Sequence, residues 1–492
     1  MKKTNFLSAA VYAITGIMYL LIVLDVLTNS QNPDFIFNPF LMAVLIVMAT
    51  GSMLLMSFLA DKIKYKKLLI AAAAAVLVFL QAVTIHYLSV KYHVETWDMG
   101  VVYNAAKYYV DNGAFDATKY DYFLWFPNNS PLYNIFVLIF RGFALFGIEN
   151  TQLALNIVNG FILLITAFVT ERAATVFAGE KFTANGMILC LLLCPFSLYT
   201  VITYTDTFSM LFLALALYFY VCVLRQKGNE YVNLVLFSLF TAIGASLKVS
   251  VLILAIAAVI DICIRHIRIR KTAVSLALVL AIAFGGFVTM KRAHEHSPFL
   301  PEYDYDYTIP HSHWVMMGLN GLGSYNDDDY QNITLAQPDK LSRQQANIEE
   351  IIRRVEEKGP GGMAEHIANK ISFIYSDGTF GACYKLDRAV VRPNGLHEYI
   401  IYLGSRFSYL GYFSLALFLA MLMVISFGIF NAIRKKDTQA VMPALSLIGV
   451  TLFLILWEAR SRYILNFLPI FVLLAVYGIK QIFTLIEREK NI

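Results

Sequence analysis

Long apolar runs recur along this chain, and its polar residues gather in the gaps between them. Three runs come first, at about 6–27, 39–60 and 68–90. A polar stretch, 91–131, follows. Seven further runs lie between 132 and 290, a second polar stretch fills 291–401, and three more runs close the chain. Most of these runs approach or exceed the ~18–20 residues that carry a helix across the hydrocarbon core. They are continuous and lack period-two alternation, which excludes a transmembrane β-barrel. The pattern predicts an all-α, polytopic integral membrane bundle of about 12–14 transmembrane helices with two large extracytoplasmic loops.

The same pattern divides the chain into four parts. Residues 1–67 form an N-terminal transmembrane hairpin, and 68–290 a transmembrane core that carries the first outer loop, 91–131. Residues 291–401 form an extracytoplasmic loop subdomain, and 402–492 the C-terminal transmembrane helices. In the first loop, 101–110 suits a short amphipathic helix along the membrane surface, ended at Asp111-Asn112-Gly113. In the second, 341–358 suits a polar helix with Ile348, Ile351, Ile352 and Val355 on one face. Gly359-Pro360-Gly361-Gly362 ends it, and 363–375 suits a second helix.

Composition agrees: 58% of residues are hydrophobic and 15% charged, well below the quarter usual in soluble domains. The net charge of +5 is concentrated at Lys2-Lys3, Lys62 to Lys67, Arg265 to Lys271 and Arg434 to Lys436. The positive-inside rule makes these cytoplasmic, so both termini are expected in the cytoplasm of a multi-pass cell-membrane protein. The clusters read as topological signals in contact with the bilayer, not as a nucleic-acid surface. No cleavage site follows the first run, which reads as a retained helix. The cysteines show no disulfide or metal spacing. One conflict remains in the count. Counted forwards, Asp206 falls inside; counted back from the Arg265 cluster, it falls outside. An odd number of simple crossings cannot join two cytoplasmic termini, so one run between 132 and 184 is expected to be short, bent or re-entrant.

Four polar features carry candidate chemistry. Glu95-Thr96-Trp97-Asp98 opens the first outer loop. Its carboxylate at the mouth of a bundle suits a general base, a metal ligand or a substrate clamp, and Glu95 shares its face on a helical turn. A solvated helix end is the bland alternative. Arg460 and Arg462, in Trp457-Glu458-Ala459-Arg460-Ser461-Arg462-Tyr463, suit a clamp on a phosphate or pyrophosphate; snorkelling at the interface is the bland alternative, against which outer loops are usually poor in Arg. Asp206 between two apolar runs is either functional or a helix cap. His311 and His313 suit a substrate loop better than a structural metal site. The cofactor stays open, a divalent metal included.

Taken together, the chain resembles the GT-C superfamily of membrane glycosyltransferases. Within it, the chain is similar to bacterial protein O-mannosyltransferase and aminoarabinose transferase-like (family 39-like) proteins. The resemblance rests on Thr96-Trp97-Asp98, Phe126-Pro127-Asn128-Asn129, Tyr204-Thr205-Asp206, the stretch from His313 to Leu319, Tyr375-Ser376-Asp377-Gly378-Thr379 and Glu458 to Tyr463. It implies transfer of a sugar, with inversion, from a polyprenyl-phosphate donor to an extracytoplasmic glycan, lipid or polymer. It maps the catalytic base onto Asp98 and the donor phosphate onto Arg460 and Arg462. Glu95, Asp206, His311, His313 and Tyr463 join them as substrate-binding candidates. The chain departs from the family in placing two helices before Asp98 and in lacking an adjacent acidic pair, which argues against a protein acceptor. Two other classes are compatible with the pattern: an O-antigen-type polymerase or ligase, and a non-enzymatic lipid or sugar transporter. The transporter class favours an inverted repeat with broken helices at the midplane.

Overall fold

A computed structural model describes residues 2–91, 97–265, 269–301, 305–388 and 390–489. Among these, the regular structure is helical, and the β pairing is a single isolated bridge between Val90 and Val390. Among the described residues, nine helices are long and apolar enough to cross a membrane, or ten if one bent pair is counted. That is fewer than the 12–14 expected. The difference lies in four apolar runs that do not become long straight helices. Ser130–Leu145 and Val441–Leu456 have 16 residues each, and Leu252–Arg265 has 14. The fourth is the bent pair, Glu180–Leu192 with Pro195–Val201, which turns through 65°.

The bend has a local cause. Leu193 is extended (ψ 106°), and Pro195 lacks the amide N–H that would continue the helix. The carbonyls near the break are met by side chains from neighbouring helices. Gln81 donates to the Phe196 carbonyl at 3.0 Å, and Asn159 donates to that of Tyr199 at 2.7 Å. A broken helix inside a membrane protein needs such partners, because no water is there to supply them. The irregular run lies at 180–201, slightly later than the sequence count placed it.

The C-terminal helices pack closely. Phe407–Lys435 crosses the last helix where Gly428 meets Gly478. A Cβ on Gly478 would lie 2.4 Å from the Val424 carbonyl oxygen, so only glycine permits this approach. The first helix, Lys2–Thr28, is not peripheral: Tyr19 is fully buried against Tyr375 and Phe471.

The two ends of the bundle differ. At one end Lys66 donates to the carbonyls of Glu180 and Lys181, Arg265 to that of Thr438, and Lys435 to Gln481. The other end carries both long polar segments. There Asp98–Asn112 is a helix stopped by left-handed Gly113 (φ 76°), as the sequence predicts. The two helices expected in the second segment appear as Lys340–Tyr375, kinked at Gly359 (φ 57°, ψ −178°).

Candidate functional site

The polar residues at this end line one cavity of about 710 Å³. That is within the ordinary range for a small-molecule site. Its walls come from distant parts of the chain: the start of the Asp98 helix, the 126–131 turn, the start of Thr205–Leu224, the second polar segment and the 457–463 turn.

Asp98 is the first residue of its helix, half-buried and facing the cavity. The Tyr204 hydroxyl, just before Thr205–Leu224, donates to Asp98 Oδ2 at 3.1 Å. The same hydroxyl lies 2.9 Å from Asn129 Oδ1, and Asn129 Nδ2 donates to the Tyr122 hydroxyl at 2.5 Å. Burial holds Tyr122 and Tyr204 well above the usual phenol range, with the Asp98 charge adding to the effect, so both remain proton donors. The contact also settles the conflict in the count: Asp206 lies at the same end of the bundle as Asp98.

Asp206 is not open to a ligand. It is 1% exposed, and each of its oxygens meets a cation: Lys248 Nζ on Oδ1, and Arg462 at 2.8 Å on Oδ2. Sequence reading paired Arg462 with Arg460 as a clamp, but the structure gives them different surroundings. Arg462 is held by Asp206 and lies over the rings of Tyr204 and Tyr463. Arg460 makes no ion pair among the described residues and lies 5.1 Å from the Tyr384 ring centroid. Tyr463 is the ring beneath both Lys248 and Arg462.

Two cations that sequence reading missed stand beside Arg460. Arg388 lies 5.3 Å from the same Tyr384 ring, and Lys385 lies 3.7 Å from the Trp97 ring centroid. Neither makes an ion pair among the described residues. Burial, and then Arg462, press the Lys385 amine well below its ordinary value, while Asp98 acts in the opposite direction. An anion in the cavity would therefore strengthen its positive charge. Burial raises the Glu458 carboxyl, opposed by Tyr463 and the two arginines.

The turn that presents these arginines is fixed by Asp377. Its carboxylate accepts from the amides of Thr379 and Gly381 and from the hydroxyls of Thr379, Tyr402 and Ser461. Ser461 sits between Arg460 and Arg462, so the Tyr375 to Thr379 motif acts as their mount.

The two histidines diverge. His313 is buried, with Nδ1 2.7 Å from the Thr334 hydroxyl, and burial lowers its pKa to about 4. His311 is exposed to the cavity beside Trp314 and Trp457, which stack at 5.6 Å and 7°. Among the described residues, no three His, Cys, Asp or Glu side chains gather as metal ligands would. Glu95 lies outside the described residues.

An all-helical bundle with nine such spans among its described residues is a multi-pass integral membrane protein. Over residues 7–483 the chain matches, and belongs to, the family described as conserved hypothetical integral membrane protein. No curated protein and no solved structure matches it.

Proposed function

We propose that the protein is a membrane glycosyltransferase of the GT-C type. It moves a sugar from a polyprenyl-phosphate donor to an extracytoplasmic acceptor, a cell-envelope glycan, lipid or polymer. In this reading it lies in the cell membrane with both termini cytoplasmic and the cavity on the far side. One observation carries the proposal: a hydrogen-bonded carboxylate, Asp98, shares a cavity with three cations that have no ion-pair partner among the described residues, Lys385, Arg388 and Arg460. The cavity wall also includes apolar Phe287, Val249 and Phe453, which suit the first isoprene units of a lipid.

The chemistry follows from these groups. Asp98 takes the proton of the acceptor hydroxyl as its oxygen attacks the anomeric carbon. The bond from that carbon to the phosphate oxygen breaks, and its electron pair leaves with the polyprenyl phosphate. The new charge on the phosphate is met by Arg460, Lys385 and Arg388 in a partly desolvated site. Arg462, fixed by Asp206, contributes positive potential.

The test uses the purified chain in vesicles containing polyprenyl-phosphate sugar, with sugar release as the readout. Asp98→Asn is expected to lower release by roughly 10²–10⁴-fold with the fold intact. Release at the wild-type level would remove the base assignment. Release only from diphosphate-linked glycans would favour a polymerase or ligase instead.

A further inference from the structure

The Tyr204 hydroxyl stands between two acceptors, 3.1 Å from Asp98 Oδ2 and 2.9 Å from Asn129 Oδ1. A phenol has one proton to donate. Asn129 is oriented by its other end, because Nδ2 donates to the Tyr122 oxygen. Its Oδ1 can therefore only accept from Tyr204. One proton is offered to two acceptors, and the state of Asp98 decides between them. An ionised Asp98 has no proton to give, so the Tyr204 proton turns toward it. A protonated Asp98 donates to the Tyr204 oxygen, and the phenol proton turns to Asn129. The protonated state has a full set of hydrogen bonds; in the ionised state the charged carboxylate, the stronger acceptor, takes the phenol proton and Asn129 Oδ1 goes without it.

We propose that Tyr204 is a two-position hydrogen-bond switch whose proton follows the charge on Asp98. Only the source of that proton, the acceptor hydroxyl, rests on the glycosyl-transfer reading. In the step, the acceptor O–H bond breaks, an O–H bond forms on Asp98, and the Tyr204 proton rotates from Asp98 to Asn129. When Asp98 gives its proton to water after product release, the phenol turns back. Tyr204 and Asn129 are positioning residues here; neither exchanges a proton with substrate.

Other charged and titratable groups face Asp98. Tyr122 lies on the 122–125 turn, Tyr325 and Tyr330 belong to the second polar segment, and Lys385 lies over the Trp97 ring. Glu458 and Arg462 approach from the 457–463 turn. They set a common background, against which the two variants below act in opposite directions.

The experiment is a pH titration of the full-length protein in nanodiscs, without donor or acceptor, followed by infrared difference spectroscopy. The Asp98 carboxyl band is assigned by its loss in Asp98→Asn. Tyr204→Phe removes a donor to the carboxylate, and the titration midpoint should rise by about one pH unit. Asn129→Leu removes the competing acceptor and commits the phenol to Asp98, so the midpoint should fall. If Asn129→Leu does not fold, Asn129→Ala carries the same expected sign. Shifts of the same sign, or no shift in either variant, would overturn the switch. Such a result leaves the transfer assay standing, whereas transfer by Asp98→Asn would remove the base and leave the titration standing.

Discussion

Replacing Asp206 with Asn separates a structural role for this carboxylate from a role in binding substrate. Asp206 is 1% exposed, and the side chains of Lys248 and Arg462 are only 16% and 13% exposed. Removing one partner of such a buried pair costs ~3–5 kcal/mol, because it leaves an uncompensated charge behind. Here two cations are left, which points to the upper part of that range. Arg462 keeps the faces of Tyr204 and Tyr463 at 5.4 and 5.2 Å, contacts it already makes beside Asp206, so they do not offset the loss. The expected loss is about 4–5 kcal/mol. Denaturant unfolding in matched nanodiscs measures it. Adding Lys248→Met removes one of the two orphaned charges, so the double variant should recover about half of the loss. A loss below ~1 kcal/mol in Asp206→Asn, or no recovery in the double variant, would refute the reasoning. Unchanged stability with lost ligand binding would place Asp206 among the substrate contacts.

Two further outcomes test other parts of the structure. Gly478→Ala would drive a methyl group into the Val424 carbonyl at the crossing of the two C-terminal helices, and overpacking of this kind costs ~1–3 kcal/mol or more, read as a lower melting temperature. Lys370 is buried, donates to the carbonyls of Gly318 and Ile455, and has its pKa lowered to about 7 by burial. Above that pH the unfolded chain holds a proton that the folded chain lacks, up to the ordinary lysine value of 10.5. Stability should therefore rise with pH from about 7 toward 10.5, and Lys370→Met should flatten that slope in melts across the window.

Much of the architecture can be read from periodicity alone, because a membrane helix announces itself by length and apolarity. The same signal overstates the number of straight crossings. It is blind to Pro195 together with an extended Leu193, and to the donors from Gln81 and Asn159 that make such a break tolerable. Asp98, Arg460 and Arg462 stood out because charged residues are rare beside apolar runs. Lys385 and Arg388 did not, because they lie in an ordinary polar segment and acquire their setting only when that segment folds against Trp97 and Arg460. Tyr204 and Asn129 were visible within short motifs, yet nothing in a linear sequence shows that one hydroxyl bridges residues 98 and 129. Asp206 looked exposed to chemistry because its partners, Lys248 and Arg462, are distant in the chain.

The chain has four tryptophans, and three of them, Trp97, Trp314 and Trp457, line the cavity. The fourth, Trp125, packs against Tyr307 and Arg343 in the same polar region. Tryptophan emission from this protein therefore comes from the neighbourhood of one site, without any attached dye. The near-parallel indoles of Trp314 and Trp457, 5.6 Å apart, should couple their transitions and give a paired signal in near-ultraviolet circular dichroism. Trp97, beneath the Lys385 ammonium, should change its emission when an anion draws that ammonium away. Occupancy of the anion side and separation of the indole pair can thus be followed optically and independently in the unlabelled protein.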